Sequence, residues 1–165
     1  MSIVVSEVFA SAMFDMFEHR PGELWGSALP ETRESLEAIV DAGIKVMISL
    51  ESRFGFPDLT GFELEQHNID IPDFGIPTTD NVREFVKVVK DSLDQGKPVL
   101  VHCLAGCGRT GTMLALAEVY LYDSIDGRTA IERVRESRPC AIETDGQEEV
   151  IIKHARNPIA DLKPK

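Results

Sequence analysis

Two short apolar runs, bounded by Gly or Pro, are the clearest feature of the hydrophobic pattern along the chain. IKVMISL (44–50) and KPVLVHC (97–103) are rich in Val, Ile and Leu, which is typical of buried, parallel strands. Each run follows a segment, 30–43 or 78–96, that carries apolar residues at helical spacing and ends at a glycine. A helix followed by a strand, twice over, predicts an α/β fold.

The remaining pattern completes this prediction. Residues 62–71 alternate in polarity, as expected for a strand exposed on one side, and IVVSEVF (3–9) and ELWGSAL (23–29) are candidates for further short strands. The helix before the second run is expected to start from Thr79 or Asp80 as its N-cap. Three more helices are predicted, over residues 109–122, 126–138 and 144–155. We therefore predict a single domain over residues 1–165, with a central, mostly parallel sheet of four to five strands and helices on both faces.

Composition and charge narrow the function classes. The chain has 165 residues, of which 43% are hydrophobic and 27% charged, as in ordinary soluble globular domains. A net charge of -11 argues against nucleic acid as a partner, because that binding depends on clustered Lys and Arg. No apolar stretch approaches the ~20 residues of a membrane helix, and the first residues lack a signal-peptide pattern. We therefore expect a cytoplasmic monomer without a membrane partner.

The cysteines and histidines give no sign of a metal site. Cys103, Cys107 and Cys140 form a small, odd set, which suits a reducing compartment better than a disulfide framework. The four histidines are scattered without ligand-like spacing. The sequence therefore predicts neither a metal nor another cofactor.

The stretch VHCLAGCGRTGT (101–112) carries the candidate chemistry. Its small residues allow the N–H groups of residues 104–109 to surround an anion, and the following helix N-terminus adds unpaired donors. Arg109 can hold two oxygens of a tetrahedral oxyanion, which favours phosphate as the ligand. The same positive surroundings favour the thiolate form of Cys103, positioned to attack phosphorus. The predicted phosphate-binding residues are Leu104, Ala105, Gly106, Cys107, Gly108 and Arg109.

HCLAGCGRTG resembles the His-Cys-x5-Arg-Ser/Thr signature of the cysteine-dependent protein tyrosine and dual-specificity phosphatases. The similarity is to the compact dual-specificity type, in particular its small archaeal and bacterial members, and it covers roughly residues 25–152. It implies a phosphatase fold and hydrolysis of phosphate monoesters on proteins through a phosphocysteine intermediate. A phosphorylated protein or peptide is the implied partner, with phosphotyrosine favoured and phosphoserine or phosphothreonine left open.

The resemblance also implies roles for residues outside the loop. Asp73, in IDIPDFGIPT (69–78), matches the general acid carried on a mobile loop, with Asp70 as its rival. His102 would organise the loop and help to keep the thiolate ionised. Thr110 would donate a hydrogen bond to the sulfur and make it a better leaving group.

Near the C-terminus, Gln147 matches the position that orients the hydrolytic water in several family members. Cys140 stands where close relatives often carry Gly, and we expect it to be structural. Arg138 is expected to cap a helix or pair with a carboxylate, with a substrate contact as the alternative. Cys107 is interpreted as a small loop residue or as a partner for a protective disulfide with Cys103 under oxidant. The aromatic pair at 54 and 56 either lines the rim or anchors its own loop.

Two other function classes remain open at this point. One is a phosphate-binding module without catalysis. The other is a different cysteine enzyme on an anion loop, of the arsenate reductase or sulfurtransferase type. Sulfur transfer has no use for Asp73, and arsenate reduction needs resolving thiols, for which Cys107 and Cys140 are the candidates. The absence of lysine from residues 103–109 counts against phosphoinositides as substrates.

Overall fold

A computed structural model describes residues 14–52, 58–123 and 126–162. The described strands form one sheet in the order β1-β2-β5-β3-β4, in which β1 is antiparallel to β2 and the other pairs are parallel. In chain order the elements are β1 (Met16–Arg20), β2 (Leu24–Ser27), α1 (Arg33–Asp41), β3 (Val46–Ser49), β4 (Glu65–Asn68), α2 (Thr79–Asp94), β5 (Val99–His102), α3 (Gly108–Leu121), α4 (Gly127–Ser137), α5 (Asp145–Arg156) and a 3-10 turn (Ala160–Leu162). The predicted α/β fold with a mostly parallel sheet is confirmed.

The central strands β3 and β5 are buried on both faces, which explains why their sequences are apolar up to Ser49 and His102 at their carboxyl ends. Met47 and Leu100 pack with Leu36 of α1 on one face of the sheet. Ile48 and Val101 lie in the larger cluster on the other face, together with side chains of α2 and α3. Alternate residues therefore serve two separate apolar layers, as the two-residue period of a strand requires.

Helix α2 begins one residue earlier than the predicted N-caps allow. Thr78 is its N-cap: the Thr78 hydroxyl accepts from the Asn81 N–H at 3.1 Å, and the Asn81 side chain accepts from the Thr78 N–H at 2.9 Å. The prediction of Thr79 or Asp80 is wrong because three neighbouring residues are all good caps. The reciprocal bond to Asn81 selects among them.

Strand β1 was not expected from the sequence, because MFEHR has no clear alternation of polarity. It pairs with β2 at the sheet edge and is fixed to α3 by a buried acid, Glu118, whose carboxylate binds Arg20 and the His19 ring at 2.5–2.8 Å. Burial opposes the ionisation of Glu118, but hydrogen bonds from His19 and Arg20 outweigh it and lower the pKa to about 2. The first candidate strand, residues 3–9, lies outside the described residues.

The architecture brings several loops to one edge of the sheet. Strands β2, β3, β4 and β5 are parallel, so their carboxyl ends lie together, and the segments that follow them meet there. Within the described ranges, no helix is long and apolar enough to cross a membrane. The apolar α3 is instead the central helix of the domain, with residues 108–120 buried.

Candidate active site

Cys103 lies directly after β5 with its thiol in the interior of the site. The residue is only 3% exposed, and the Thr110 hydroxyl donates a hydrogen bond to its Sγ at 3.0 Å. Thr110 itself is fully buried in the first turn of α3. The loop 103–108, which we call the phosphate loop, therefore connects the end of β5 to the start of α3, and Cys103 is its first residue.

The carbonyl groups of the phosphate loop face the surrounding segments. The Leu104 carbonyl accepts from the Leu29 N–H at 3.0 Å, and the Ala105 and Gly106 carbonyls accept from the Arg138 guanidinium at 2.9 and 3.2 Å. In a trans peptide the C=O and the next N–H point in opposite directions. These contacts therefore turn the following N–H groups toward the concave side of the loop, as an oxyanion site requires.

Gly106 is the position where the loop needs glycine. Its φ is +74°, and a Cβ atom built there would lie 2.6–2.7 Å from the carbonyl carbon and oxygen of Ser27. A side chain would thus meet both an unfavourable backbone conformation and the backbone of β2.

Cys107 is joined to Cys140 by a disulfide, with Cα atoms 5.3 Å apart. Cys103 is the remaining free cysteine of the three. The structure thus contradicts the expectation that the cysteines form no disulfide framework, and it differs from both interpretations of Cys107, which is neither an unbonded small residue of the loop nor bonded to Cys103. This bond could not be predicted from the sequence, because the two cysteines are 33 residues apart. The turn between α4 and α5 comes close to the phosphate loop only in the folded protein. There the Ile142 N–H also donates to the Cys107 carbonyl.

Arg109 is held by groups from two segments, which follow β3 and β4. It is 3% exposed, and its Nη2 donates to the Glu51 carboxylate at 3.0 Å while its Nη1 donates to the Ile71 carbonyl at 2.9 Å. The buried Glu51 escaped the sequence analysis. The available signal was its place two residues after β3, at the edge where the parallel strands end.

Asp73 lies on the loop after β4, with its Oδ1 atom 3.3 Å from Nη2 of Arg109. The same oxygen accepts from the Phe74 N–H at 3.1 Å. Phe74 has a φ of +59° and is 62% exposed, so the chain turns sharply at this point. Asp70, its rival, is exposed and precedes this turn. Asp73 is thus the carboxylate that meets the arginine and remains accessible to a substrate.

Gln147 is fully buried, and its side-chain amide lies beside Gly108 of the phosphate loop, 3.2 Å from where a Cβ atom on that glycine would lie. Its Oε1 accepts from the N–H groups of Glu143 and Thr144, and its Nε2 donates to the Gly75 carbonyl at 3.2 Å. Glu143 also reaches the phosphate loop, where its Oε1 accepts from the Gly108 N–H at 2.8 Å. The sequence analysis missed Glu143, since an acidic residue before a helix is common.

His102 is fully buried, and its Nδ1–H donates to the Cys103 carbonyl at 3.3 Å. Burial lowers the pKa of His102 to about 4, in spite of that hydrogen bond. The ring is therefore neutral near pH 7 and adds no positive charge next to Cys103. Over the described part of the chain, no group of three His, Cys, Asp or Glu side chains could hold a metal.

Comparisons with known proteins place the chain in a family. Residues 23–122 match the family model described as "Polymorphic toxin system, DSP-PTPase phosphatase". A protein of Methanocaldococcus jannaschii described as uncharacterized is 37% identical over 90 residues, which cover 53% of this chain and 58% of that protein. The mouse protein tyrosine phosphatase domain-containing protein 1 is 33% identical over 139 residues, covering 73% of this chain and 18% of that protein. This chain thus spans little more than half, or less, of these relatives.

Among solved structures, Tk-PTP in its active form superposes with a TM-score of 0.73 at 29% identity, over 88% of this chain and 98% of that one. The family resemblance carried by the HCLAGCGRTG stretch is confirmed by the family model and by this superposition. The chain belongs to the DSP-PTPase phosphatase family, as a compact member of the dual-specificity type.

Proposed function

We propose that this protein hydrolyses phosphate monoesters on proteins, with phosphotyrosine as the favoured substrate, through a phosphocysteine intermediate. The observation that carries the proposal is the convergence of three groups at one sheet edge. Cys103 receives the Thr110 hydroxyl at 3.0 Å, and the neighbouring Arg109 lies 3.3 Å from the Asp73 carboxylate. A nucleophile, an oxyanion-binding group and a proton donor therefore face the same space.

In the first step, the Cys103 thiolate attacks phosphorus and the bond from phosphorus to the substrate oxygen breaks. Arg109 and the inward N–H groups of the phosphate loop hold the three equatorial oxygens as charge spreads over them. Asp73, whose side chain is 41% exposed, donates a proton to the departing oxygen. Such proton transfer contributes about 10²–10⁴-fold to the rate.

In the second step, water attacks the phosphocysteine, the S–P bond breaks, and inorganic phosphate leaves. The Thr110 hydroxyl stabilises the departing Cys103 thiolate through the hydrogen bond already in place. Asp73, left ionised by the first step, takes the proton from the water.

The surroundings of the site support an aromatic phosphate ester. Phe74, Ile76 and Leu104 are apolar yet 62%, 49% and 47% exposed, and they lie on the acid-bearing loop and the phosphate loop. Apolar side chains left exposed beside a polar site commonly contact a ligand. Further candidates for this contact, the aromatic pair at 54 and 56, lie outside the described residues.

Asp73, 3.3 Å from Arg109, favours this function over arsenate reduction and sulfur transfer, because a departing ester oxygen needs a proton donor. The Cys107–Cys140 disulfide is also the bond that two resolving thiols would form in arsenate reduction, so arsenate with a thiol reductant is tested as an alternative substrate. A monomer in the cytoplasm stays part of the proposal. A Cys107–Cys140 disulfide that is present in the protein taken from cells would instead indicate a more oxidising compartment. Cell fractionation together with size-exclusion chromatography tests both points.

The first experiment is the pH dependence of p-nitrophenyl phosphate hydrolysis, with chelator present. We expect a bell-shaped kcat/KM profile for the wild type and no turnover for Cys103→Ser, which should still bind vanadate. Asp73→Asn should lose activity mainly with the poorer leaving group of phenyl phosphate, and Asp70→Asn is its matched control. Vanadate binding without turnover in the wild type would favour a binding module, and equal losses in the two aspartate variants would remove Asp73 from its role.

A further inference from the structure

Arg138 is a basic residue at the active-site edge that the proposed chemistry does not use. It is the C-cap residue of α4, and its side chain is only 15% exposed. Its guanidinium lies against the outer side of the phosphate loop, 5.0 Å from the centre of the Phe17 ring. Charged side chains are rarely buried to this extent without a partner. Because the Arg138 guanidinium lies on the outer side of the loop, substrate binding does not explain its burial.

The guanidinium is shared between the loop and one carboxylate. Its Nη2 donates to the Ala105 carbonyl at 2.9 Å and its Nε donates to the Gly106 carbonyl at 3.2 Å. Its Nη1 and Nη2 also donate to the two carboxylate oxygens of Asp15, at 2.5 and 2.7 Å. Arg138 thus bridges Asp15, just before β1, to two successive peptide groups of the loop.

These two carbonyls occupy the middle of the phosphate loop. At its ends, the carbonyls of Leu104 and Cys107 are held by backbone N–H groups, which do not depend on any side chain. In the middle of the loop, the Ala105 and Gly106 carbonyls are held by the Arg138 side chain. This is the place where Gly106 adopts its left-handed conformation. Because glycine is conformationally permissive, it does not fix this turn by itself.

We propose that Arg138, held by Asp15, is a positioning residue that fixes the phosphate loop in its oxyanion-binding shape. In each peptide group, the N–H of one residue points opposite to the carbonyl of the residue before it. When Arg138 holds the Ala105 and Gly106 carbonyls on the outer side of the loop, the N–H groups of Gly106 and Cys107 therefore point to the inner side. The rigid fork of arginine can span two carbonyls and a carboxylate together, whereas a lysine ammonium cannot. The proposal rests on the proposed function for its catalytic consequence, but its effect on oxyanion binding does not require turnover.

The test compares Arg138→Met, Arg138→Lys and Asp15→Asn with the wild type. The measurements are vanadate binding, kcat and KM for p-nitrophenyl phosphate, and the melting temperature. Arg83→Met is the matched control, because Arg83 is an exposed arginine that pairs with Asp80 and Asp161 away from the loop.

We expect both Arg138 variants to weaken vanadate binding and lower kcat/KM, by on the order of a hundredfold, as when an oxyanion donor is lost. Guanidinium ion should partly restore Arg138→Met. Asp15→Asn should lose about tenfold or less, because the contacts to the loop carbonyls remain.

Wild-type vanadate affinity in a folded Arg138→Met would overturn the proposal. Full activity in Arg138→Lys would also overturn it, since charge rather than the fork would then suffice. If Arg138→Met does not fold, the vanadate affinities of Asp15→Asn and Arg138→Lys test the proposal. An inactive wild type that still loses vanadate binding in Arg138→Lys would reject the proposed function and keep this inference.

Discussion

Breaking the Cys107–Cys140 disulfide is expected to lower the free energy of unfolding by about 4 kcal/mol. The two cysteines are 33 residues apart. Opening a loop of that length returns about 12 cal/mol/K of entropy to the unfolded chain, or roughly 3.7 kcal/mol at 25 °C. In a domain of this size each kcal/mol shifts Tm by about 2–4 °C, so the predicted loss is roughly 7–15 °C.

The assay is thermal unfolding followed by circular dichroism, with and without a phosphine reductant. The wild type should melt lower in reductant, whereas Cys140→Ser should melt at that lower temperature under both conditions. Cys103→Ser is the matched control, because it retains the disulfide and should show the full effect of the reductant. This pattern assigns the shift to the bond between Cys107 and Cys140 and not to the nucleophile.

The reasoning fails if reduced and oxidised wild type melt within about 2 °C of each other while mass spectrometry shows that the bond was present and then broken. It also fails if Cys140→Ser still responds to reductant. The first result would mean that other contacts already hold the turn between α4 and α5, and the second would mean that the reductant acts on a different disulfide.

Four further predictions concern single side chains. Glu51→Gln removes the buried partner of Arg109, so we expect kcat/KM to fall about a hundredfold and stability by roughly 3–5 kcal/mol, measured by steady-state kinetics and urea unfolding. Thr110→Val should slow phosphocysteine hydrolysis and produce a burst of p-nitrophenol in stopped-flow traces. Glu143→Gln removes a negative charge that occupies a loop N–H, so vanadate should inhibit about three- to tenfold more strongly. The pKa of Glu118 in the folded protein is about 2, below the ordinary 4.5. Its ionised form therefore contributes about 3 kcal/mol to the free energy of unfolding above pH 4.5, and this contribution should be lost as the pH falls toward 2.

Each of these predictions has a contrary result. Wild-type kinetics in Glu51→Gln would show that Arg109 keeps its position without the carboxylate. A Thr110→Val enzyme without a burst would place the hydroxyl outside the second step, and unchanged vanadate inhibition in Glu143→Gln would mean that the oxyanion does not compete with the carboxylate. If Glu118→Gln keeps the wild-type dependence of stability on acid pH, other carboxylates cause it.

The layered α/β fold and the phosphate loop could be predicted from the sequence because their determinants are local. The buried strands β3 and β5 read as unbroken apolar runs, and residues 102–110 are contiguous, so strand, turn and helix start occur together in the chain. Where the local signal is weak the prediction failed, as for β1, whose five residues show no alternation. The prediction of the α2 N-cap was wrong because several neighbouring residues are good caps, and the structure uses Thr78.

The sequence by itself determined the nucleophile, the anion loop and the arginine as candidates, since their chemistry follows from residue types at fixed short spacing. Only the tertiary structure decided what holds that loop in place: Glu51 beside Arg109, Arg138 on the outer carbonyls, and Cys140 on Cys107. These partners are 32–58 residues from the groups they touch. Contacts over such separations depend on how the helices and strands pack, and no local pattern of residues encodes that packing.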